Sequence, residues 1–330
     1  MARKRSLKQP FCLGHEVVGE LIELGSAVKN WVLGQRVVLV PGAACAAMEQ
    51  TQPCDMCKQG LPLLCLRRDC FIPQLSHGAG WSESMVRHQS ELIPIPDAIT
   101  DDQAVLLDPL GCSVHAVLRR LPEAADPVIV IGCGTIGLGI ILALKALAIP
   151  IHIIAIAKYS NQAVQARAMG AHRVLQYSSG YLYEELAAEL GTEVFGTGKN
   201  NRLLHFGAAV IYDAVGSGET LHHALRWTRP RGAVVLEGIV PQPAPLDRSV
   251  IWLRELNLIG AHGHGWEHYD GRKLHTFNLV MDWLREGRLS VDGLISHRYP
   301  LRDYKQAIRT ATAKASSRAT KVLLQMRSND

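Results

Sequence analysis

The sequence lacks an apolar run long enough to span a bilayer, which takes about 20 residues, so no membrane span is expected. It lacks a signal peptide as well: the basic start at Arg3, Lys4, Arg5 and Lys8 leads into Gly14, His15 and Glu16, not into an apolar segment. A cytoplasmic protein is therefore expected. Aromatic residues make up only 6%, and no basic stripe with stacking aromatics follows the opening run, so a net charge of +5 does not imply nucleic acid. That run reads as a solvated tail. Internal repeats and low-complexity segments are absent too. What remains is a composition of 48% hydrophobic and 20% charged residues over 330 positions, that of a folded protein with more than one core's worth of chain.

Eight cysteines stand out against this background, four of them between Cys45 and Cys65. In a reducing compartment such a cluster means metal more readily than disulfides. Cys54, Cys57 and Cys65 have the spacing of a knuckle around a tetrahedral ion, and Cys45 supplies a fourth thiolate, closing a structural zinc site. Residues 41 to 80 carry Pro41, Pro53, Pro62 and Pro73 and no hydrophobic period, so something other than a core must order them. Two alternatives stay open: unliganded thiols, and Cys70 in place of Cys45.

From Glu16 to Leu39, short apolar runs broken by Gly19, Gly25 and Gly34 read as strands and turns. A helical pattern begins at Asp101. After Pro127 comes an apolar strand, Val128 to Ile131, then a glycine turn, a helix from about Gly137 to Leu147, and a second apolar strand, Ile151 to Ile156. This is a βαβ unit with buried parallel strands. Further strands at Ala209 to Tyr212, Ala233 to Glu237 and Leu256 to Ile259 extend it into a doubly wound parallel sheet. Helices near His275 to Arg285 and Tyr304 to Ala311 and a strand from Lys321 to Gln325 either return to the first domain or cap the second.

Gly132-Cys133-Gly134-Thr135-Ile136-Gly137 fits G-x-G-x-x-G between a strand and a helix. Its glycines make the tight turn, let backbone approach a pyrophosphate and let helix pack on strand. A carboxylate that takes the ribose 2′-hydroxyl of NAD belongs about 20 residues further on. Here that position is Ala157, followed by Lys158, and no Asp or Glu occurs between Asp126 and Glu184. A 2′-phosphate suits this turn better, so NADP is favoured over NAD.

His15, Glu16 and Asp108 are the remaining chemical candidates. An imidazole and two carboxylates are a set that zinc accepts, and with a position left for water or substrate such a site is catalytic. Singly each has a plainer reading: His15 as a satisfied core histidine, Asp108 before Pro109 as a helix cap.

In order and content these motifs resemble the zinc-dependent medium-chain dehydrogenase/reductase family, the alcohol, polyol and threonine dehydrogenases. Gly14-His15-Glu16-Val17-Val18-Gly19 resembles its catalytic zinc motif, and Gly34-Gln35-Arg36-Val37 the strand after it. The likeness continues through the cysteine lobe, Gly80-Trp81-Ser82-Glu83, Asp108 to Ala116, Asp213-Ala214-Val215-Gly216 and Leu294-Ile295-Ser296-His297. The resemblance implies a GroES-like β-barrel catalytic domain over 1–109 plus 263–330 and a Rossmann coenzyme domain over 110–262. It implies His15, Glu16 and Asp108 at a catalytic zinc. Gly132, Gly134, Thr135, Ile136 and Gly137 fall at the pyrophosphate, Ala157 and Lys158 at the ribose, Val215 beside the adenosine, Gly238 to Val240 beside the nicotinamide, and Lys321 at a phosphate. It further implies a homodimer or homotetramer.

Two departures accompany the likeness. Thr51 stands where the family's usual cysteine run begins, so Cys45 enters by an expanded spacing. Relatives also carry a further segment ahead of the Gly-His-Glu motif that supplies a cysteine ligand and a proton-relay hydroxyl, which makes the amino terminus read as shortened. Cys12 is a poor deputy for that ligand. The expected activity is zinc-dependent NAD(P)-linked hydride transfer between nicotinamide and a secondary alcohol, polyol, sugar or amino alcohol, or its ketone. The alternatives are a catalytically inactive NADP-binding zinc protein with a sensor or interaction role, and a zinc-independent reductase of an activated double bond.

Overall fold

Three short strands open the fold: β1 (Val18–Glu20), β2 (Arg36–Leu39) and β3 (Leu92–Pro94), antiparallel and in that order, with Val18 opposite Val38 and Val38 opposite Ile93. The computed structural model describes residues 12–42, 44–67, 78–198, 201–240 and 242–326. Val37, Val38 and Leu39 are buried, as a central strand requires. Between β2 and β3 the cysteine lobe has only one short helix, α1 (Asp55–Lys58), and a single turn at Pro62–Leu64. Its interior is Ala44, Cys45, Cys54 and Cys65, backed by Met48, Met56 and Cys57, so sulfur stands where a hydrophobic core would.

The helical pattern that begins at Asp101 resolves into two helices, α2 (Asp101–Ala104), capped by Thr100 and Gln103, and α3 (Leu107–Arg119). Pro109 is the cause. It has no N–H and is tolerated only in a first turn, so the helix restarts just ahead of it. Leu107, Leu110, Val114 and Val117 then form the buried stripe of α3.

The doubly wound sheet follows. Its strands are β4 (Pro127–Ile131), β5 (His152–Ala157), β6 (Arg173–Gln176), β9 (Ala208–Asp213), β10 (Thr228–Leu236) and β11 (Asn257–Gly260). They are parallel, in the order β11-β10-β9-β4-β5-β6. The helices are α4 (Thr135–Ala146), α5 (Ser160–Ala168), α6 (Leu182–Leu190), α7 (Gly218–Trp227) and α8 (Ser249–Leu253). A small antiparallel pair, β7 (Val194–Phe195) with β8 (Leu203–Leu204), precedes β9. Because the chain leaves β4 toward β5 and later returns to β9 on its other side, the topological switch lies beside β4, at whose carboxyl end the glycine turn sits. Ile129, Ile131, Ile154, Ile156, Ile211 and Val234 line one face under Leu186, Leu225 and Trp227. Strand β6 and helices α5 to α8 have no counterpart among the patterns read in the sequence.

The last stretch forms a hairpin of β12 (Trp266–Tyr269) and β13 (Arg272–His275), helix α9 (Thr276–Arg285), strand β14 (Ile295–Pro300), helices α10 (Tyr304–Thr312) and α11 (Lys314–Ser317), and β15 (Lys321–Gln325), parallel to β14. Two compact units result, one running through Gly111 and taking up His264–Gly287 and the chain from Val291, the other Cys112–Gly263 with Arg288–Ser290. The carboxy-terminal stretch thus packs with the amino-terminal strands. No helix among the described residues is long and apolar enough to cross a membrane.

Candidate metal centre and cofactor turn

His15, Glu16 and Asp108 converge although some ninety residues of chain separate them. Each offers a ligand atom, and these atoms lie within 4.8 Å of one another. The segment carrying His15 is clamped from outside: Gly80 N–H donates to Gly14 O at 3.0 Å and Trp81 N–H to Leu13 O at 2.8 Å. Trp81 in turn lies against Tyr304 of α10, ring centroids 6.2 Å apart. Asp108 comes from the first turn of α3 and is 5% exposed.

Lys321, which the resemblance places at a cofactor phosphate, meets the same segment. It is ion-paired with Glu16. At the start of β15 its ammonium is largely out of water, and the neighbouring carboxylate is what makes a charge tolerable there. Burial still brings the Lys321 amine down to about 8. His15 is held below the ordinary histidine value, by burial first and by the Lys321 charge second. A neutral imidazole offers a lone pair to a metal. Two carboxylates and one ammonium leave the donor set one negative charge, which suits a divalent cation. On donor type, spacing and charge these residues fit zinc.

No motif or spacing in the sequence singles out His264 and His275. His264 Nε2 lies 3.8 Å from Asp108 Oδ2, and its Nδ1 is 3.3 Å from His275 Nε2. Both rings are 3% exposed.

The second donor group is Cys45, Cys54, Cys57 and Cys65, whose sulfurs also lie within 4.8 Å of one another. Cys45 Sγ is 3.7 Å and Cys54 Sγ 3.8 Å from Cys65 Sγ. Backbone N–H groups orient them: Cys54 donates to Cys45 Sγ at 3.3 Å and Arg67 to Cys65 Sγ at 3.4 Å. The N–H groups of Cys57 and Leu66 pull the Cys54 thiol down to about 6, whereas burial pushes Cys57 up to about 12 and Cys65 upward. Four crowded sulfurs cannot all ionise unaided, and a cation is what would let them. Cys70, the alternative fourth ligand, lies outside the described residues.

At the glycine turn, Gly134 caps α4, whose first residues are Thr135 and Ile136. A Cβ on Gly137 would stand 1.7 Å from Gly132 O, so only glycine fits there. Ser113 Oγ donates to Ile136 O at 3.0 Å, tying the turn to α3. Val215 packs on Gly132, where an added Cβ would come within 2.4 Å of Val215 Cγ2. Asp213 holds Val215 in place, accepting from the N–H groups of Val215 and Gly216 at 2.9 Å each and from Thr220 Oγ1 at 2.9 Å. Its carbonyl accepts from the N–H groups of Glu237 and Gly238, which brings Gly238 beside Val215. Ile239 and Val240 beyond are exposed. Ala157 ends β5 fully buried, and the exposed Lys158 follows, its ammonium 5.8 Å from the centre of the Tyr159 ring.

Residues 135–283 match the family model of the zinc-binding dehydrogenases, and residues 1–97 that of the alcohol dehydrogenase GroES-like domain. The chain is 29% identical to the L-idonate 5-dehydrogenase of Vitis vinifera over 92% of its own length and 77% of the relative's. It is 27% identical to the sorbitol dehydrogenase of Arabidopsis thaliana, covering 97% of this chain and 81% of that one. Among solved structures, an alcohol dehydrogenase from E. coli CFT073 complexed with NADH superposes with a TM-score of 0.78 at 25% identity, over 97% of this chain and 85% of that chain.

Proposed function

The chain belongs to the zinc-dependent medium-chain dehydrogenases, with a GroES-like domain and a Rossmann domain, and we propose that it moves a hydride between NAD(P) and a secondary alcohol, polyol, sugar or amino alcohol, with His15, Glu16 and Asp108 holding the catalytic zinc. The observation that carries the site is the meeting of those three side chains within 4.8 Å. Zinc held there would supply Lewis-acid polarisation of an alcohol or carbonyl oxygen, and a bound nicotinamide would supply the hydride acceptor or donor.

The chain's own residues do the rest. His15 presents a neutral imidazole, kept so by burial and by Lys321. Lys321 compensates Glu16, so that the groups around the site carry one net negative charge and a divalent cation held there would keep net positive charge toward a substrate oxygen. Cys45, Cys54, Cys57 and Cys65 form a closed set whose role is to order the lobe around them.

On the cofactor side, Gly132, Gly134 and Gly137 with Thr135 and Ile136 cradle the pyrophosphate at the start of α4, and Val215, Gly238 and Val240 continue the contact surface. NADP is the preferred partner in this reading, supported by the buried Ala157 and exposed Lys158 where an NAD site has an acid. A homodimer or homotetramer accompanies it, supported by the edge strand β11 and by Trp252 and Leu253 of α8, 81% and 69% exposed. The inactive alternative gains nothing from a site whose three donors stand together.

The test is oxidation of a panel of polyols and secondary alcohols by the full chain, followed as NAD(P)H absorbance before and after a zinc chelator. Chelator-sensitive turnover of at least one polyol supports the reading. Cofactor binding with no turnover of any substrate rejects it in favour of the inactive protein.

A further inference from the structure

Helix α9 begins beside α3. Gly111 makes this approach, since a Cβ there would stand 2.7 Å from the Phe277 ring. The approach brings His264, two residues ahead of the hairpin, to Asp108, with the N-cap of α9, His275, behind it. His264 packs on Phe277 with ring centroids 4.7 Å apart, and His275 packs on the same ring at 4.8 Å.

The hydrogen bonds fix which nitrogen of each ring carries a proton. Phe277 N–H donates to His275 Nδ1 at 3.2 Å, so that nitrogen is an acceptor. The proton of His275 is then on Nε2, and it points at His264 Nδ1, 3.3 Å away. With Nδ1 accepting, His264 carries its proton on Nε2, which faces Asp108 Oδ2 at 3.8 Å. That distance is a charge–dipole contact, somewhat outside a hydrogen bond. A directed chain results, from a helix N-terminal N–H through two imidazoles to a carboxylate. Imidazole N–H groups beside ligating carboxylates orient them and tune their affinity.

We propose that His264, set in its tautomer by His275, is the positioning residue for Asp108: it occupies one carboxylate oxygen and turns the other toward the metal. The inference rests on the reading that His15, Glu16 and Asp108 hold zinc. Neither histidine belongs to the donor set, and both act through Asp108.

The test uses the full chain stripped of metal and reloaded with Zn2+ or Co2+. It reads the affinity of the non-thiolate ion by chelator competition and, with Zn2+ kept in the thiolate site and Co2+ placed in the other, its visible cobalt spectrum. His264→Leu is expected to weaken that ion by 10- to 100-fold and to alter the cobalt bands, with the thiolate-bound ion unchanged. His264→Gln, which returns an N–H near the Nε2 position, is expected to recover most of the affinity. His275→Asn keeps the acceptor for Phe277 N–H but removes the donor to His264. It is expected to weaken the ion with little change in melting temperature, and it serves if His264→Leu fails to fold. Wild-type affinity and an unchanged spectrum in His264→Leu or His275→Asn, alongside loss of the ion in Asp108→Asn, would overturn the positioning role alone. An unaffected ion in Asp108→Asn would overturn the metal-site reading and the inference with it.

Discussion

Lys321 sets its ammonium against the Glu16 carboxylate and so joins strand β15 to the segment that follows Gly14. The pair is partly buried, with side chains 13% and 30% exposed, so its charges are incompletely screened.

Lys321→Met tests what that charge does. Without the ammonium, a bound zinc faces a more anionic donor set and polarises oxygen less. The variant is expected to keep its metal while kcat falls roughly tenfold and KM changes little. Metal analysis and steady-state kinetics on one preparation check this; metal lost together with activity would show that the lysine only holds Glu16 in place.

Glu237 predicts a pH dependence of stability. Burial lifts its carboxyl from 4.5 to about 9, so it is protonated in the folded protein at neutral pH. A group raised on folding contributes stability that is whole below its unfolded value and is lost as pH climbs through the folded one. Glu237→Gln cannot ionise and escapes that loss. Its melting temperature should match wild type near pH 4.5 and exceed it by a growing margin, about a few degrees, toward pH 8. Parallel melting curves across that range would contradict the burial argument.

In the proposed reading, cofactor choice turns on two adjacent positions, Ala157 and Lys158. Ala157→Asp places a carboxylate at the end of β5 and is expected to reverse the preference toward NAD. Lys158→Ala should weaken NADPH by about tenfold while leaving NADH nearly unchanged. Fluorescence titration with both reduced cofactors measures each effect, and equal weakening of the two by Lys158→Ala would remove the lysine from 2′-phosphate recognition.

Local patterns made much of this legible in the sequence. The glycine turn between two fully apolar strands announced a parallel sheet, since only strands covered on both faces lack polar alternation. Cys54, Cys57 and Cys65 carry their geometry in their spacing. Helix α5 is not legible in the sequence because Ser160 to Ala168 has no continuous apolar stripe and is held by its packing on β5 and β6. His264 and His275 are invisible in the sequence for another reason: His264 meets Asp108, and His275 meets His264, where Phe277 packs on Gly111, contacts with no sequence period. The partner of Lys321 was hidden likewise, since which carboxylate a buried lysine reaches depends on strand placement.

The most direct measurement is zinc per chain in wild type and in Asp108→Asn, with polyol oxidation assayed on the same samples. Two donor groups predict two zinc ions per chain in wild type and one in the variant. Turnover should fall by about a hundredfold or more while NADPH affinity is kept. An Asp108→Asn protein that retains both ions and wild-type turnover would contradict the assignment of His15, Glu16 and Asp108 as the catalytic metal site.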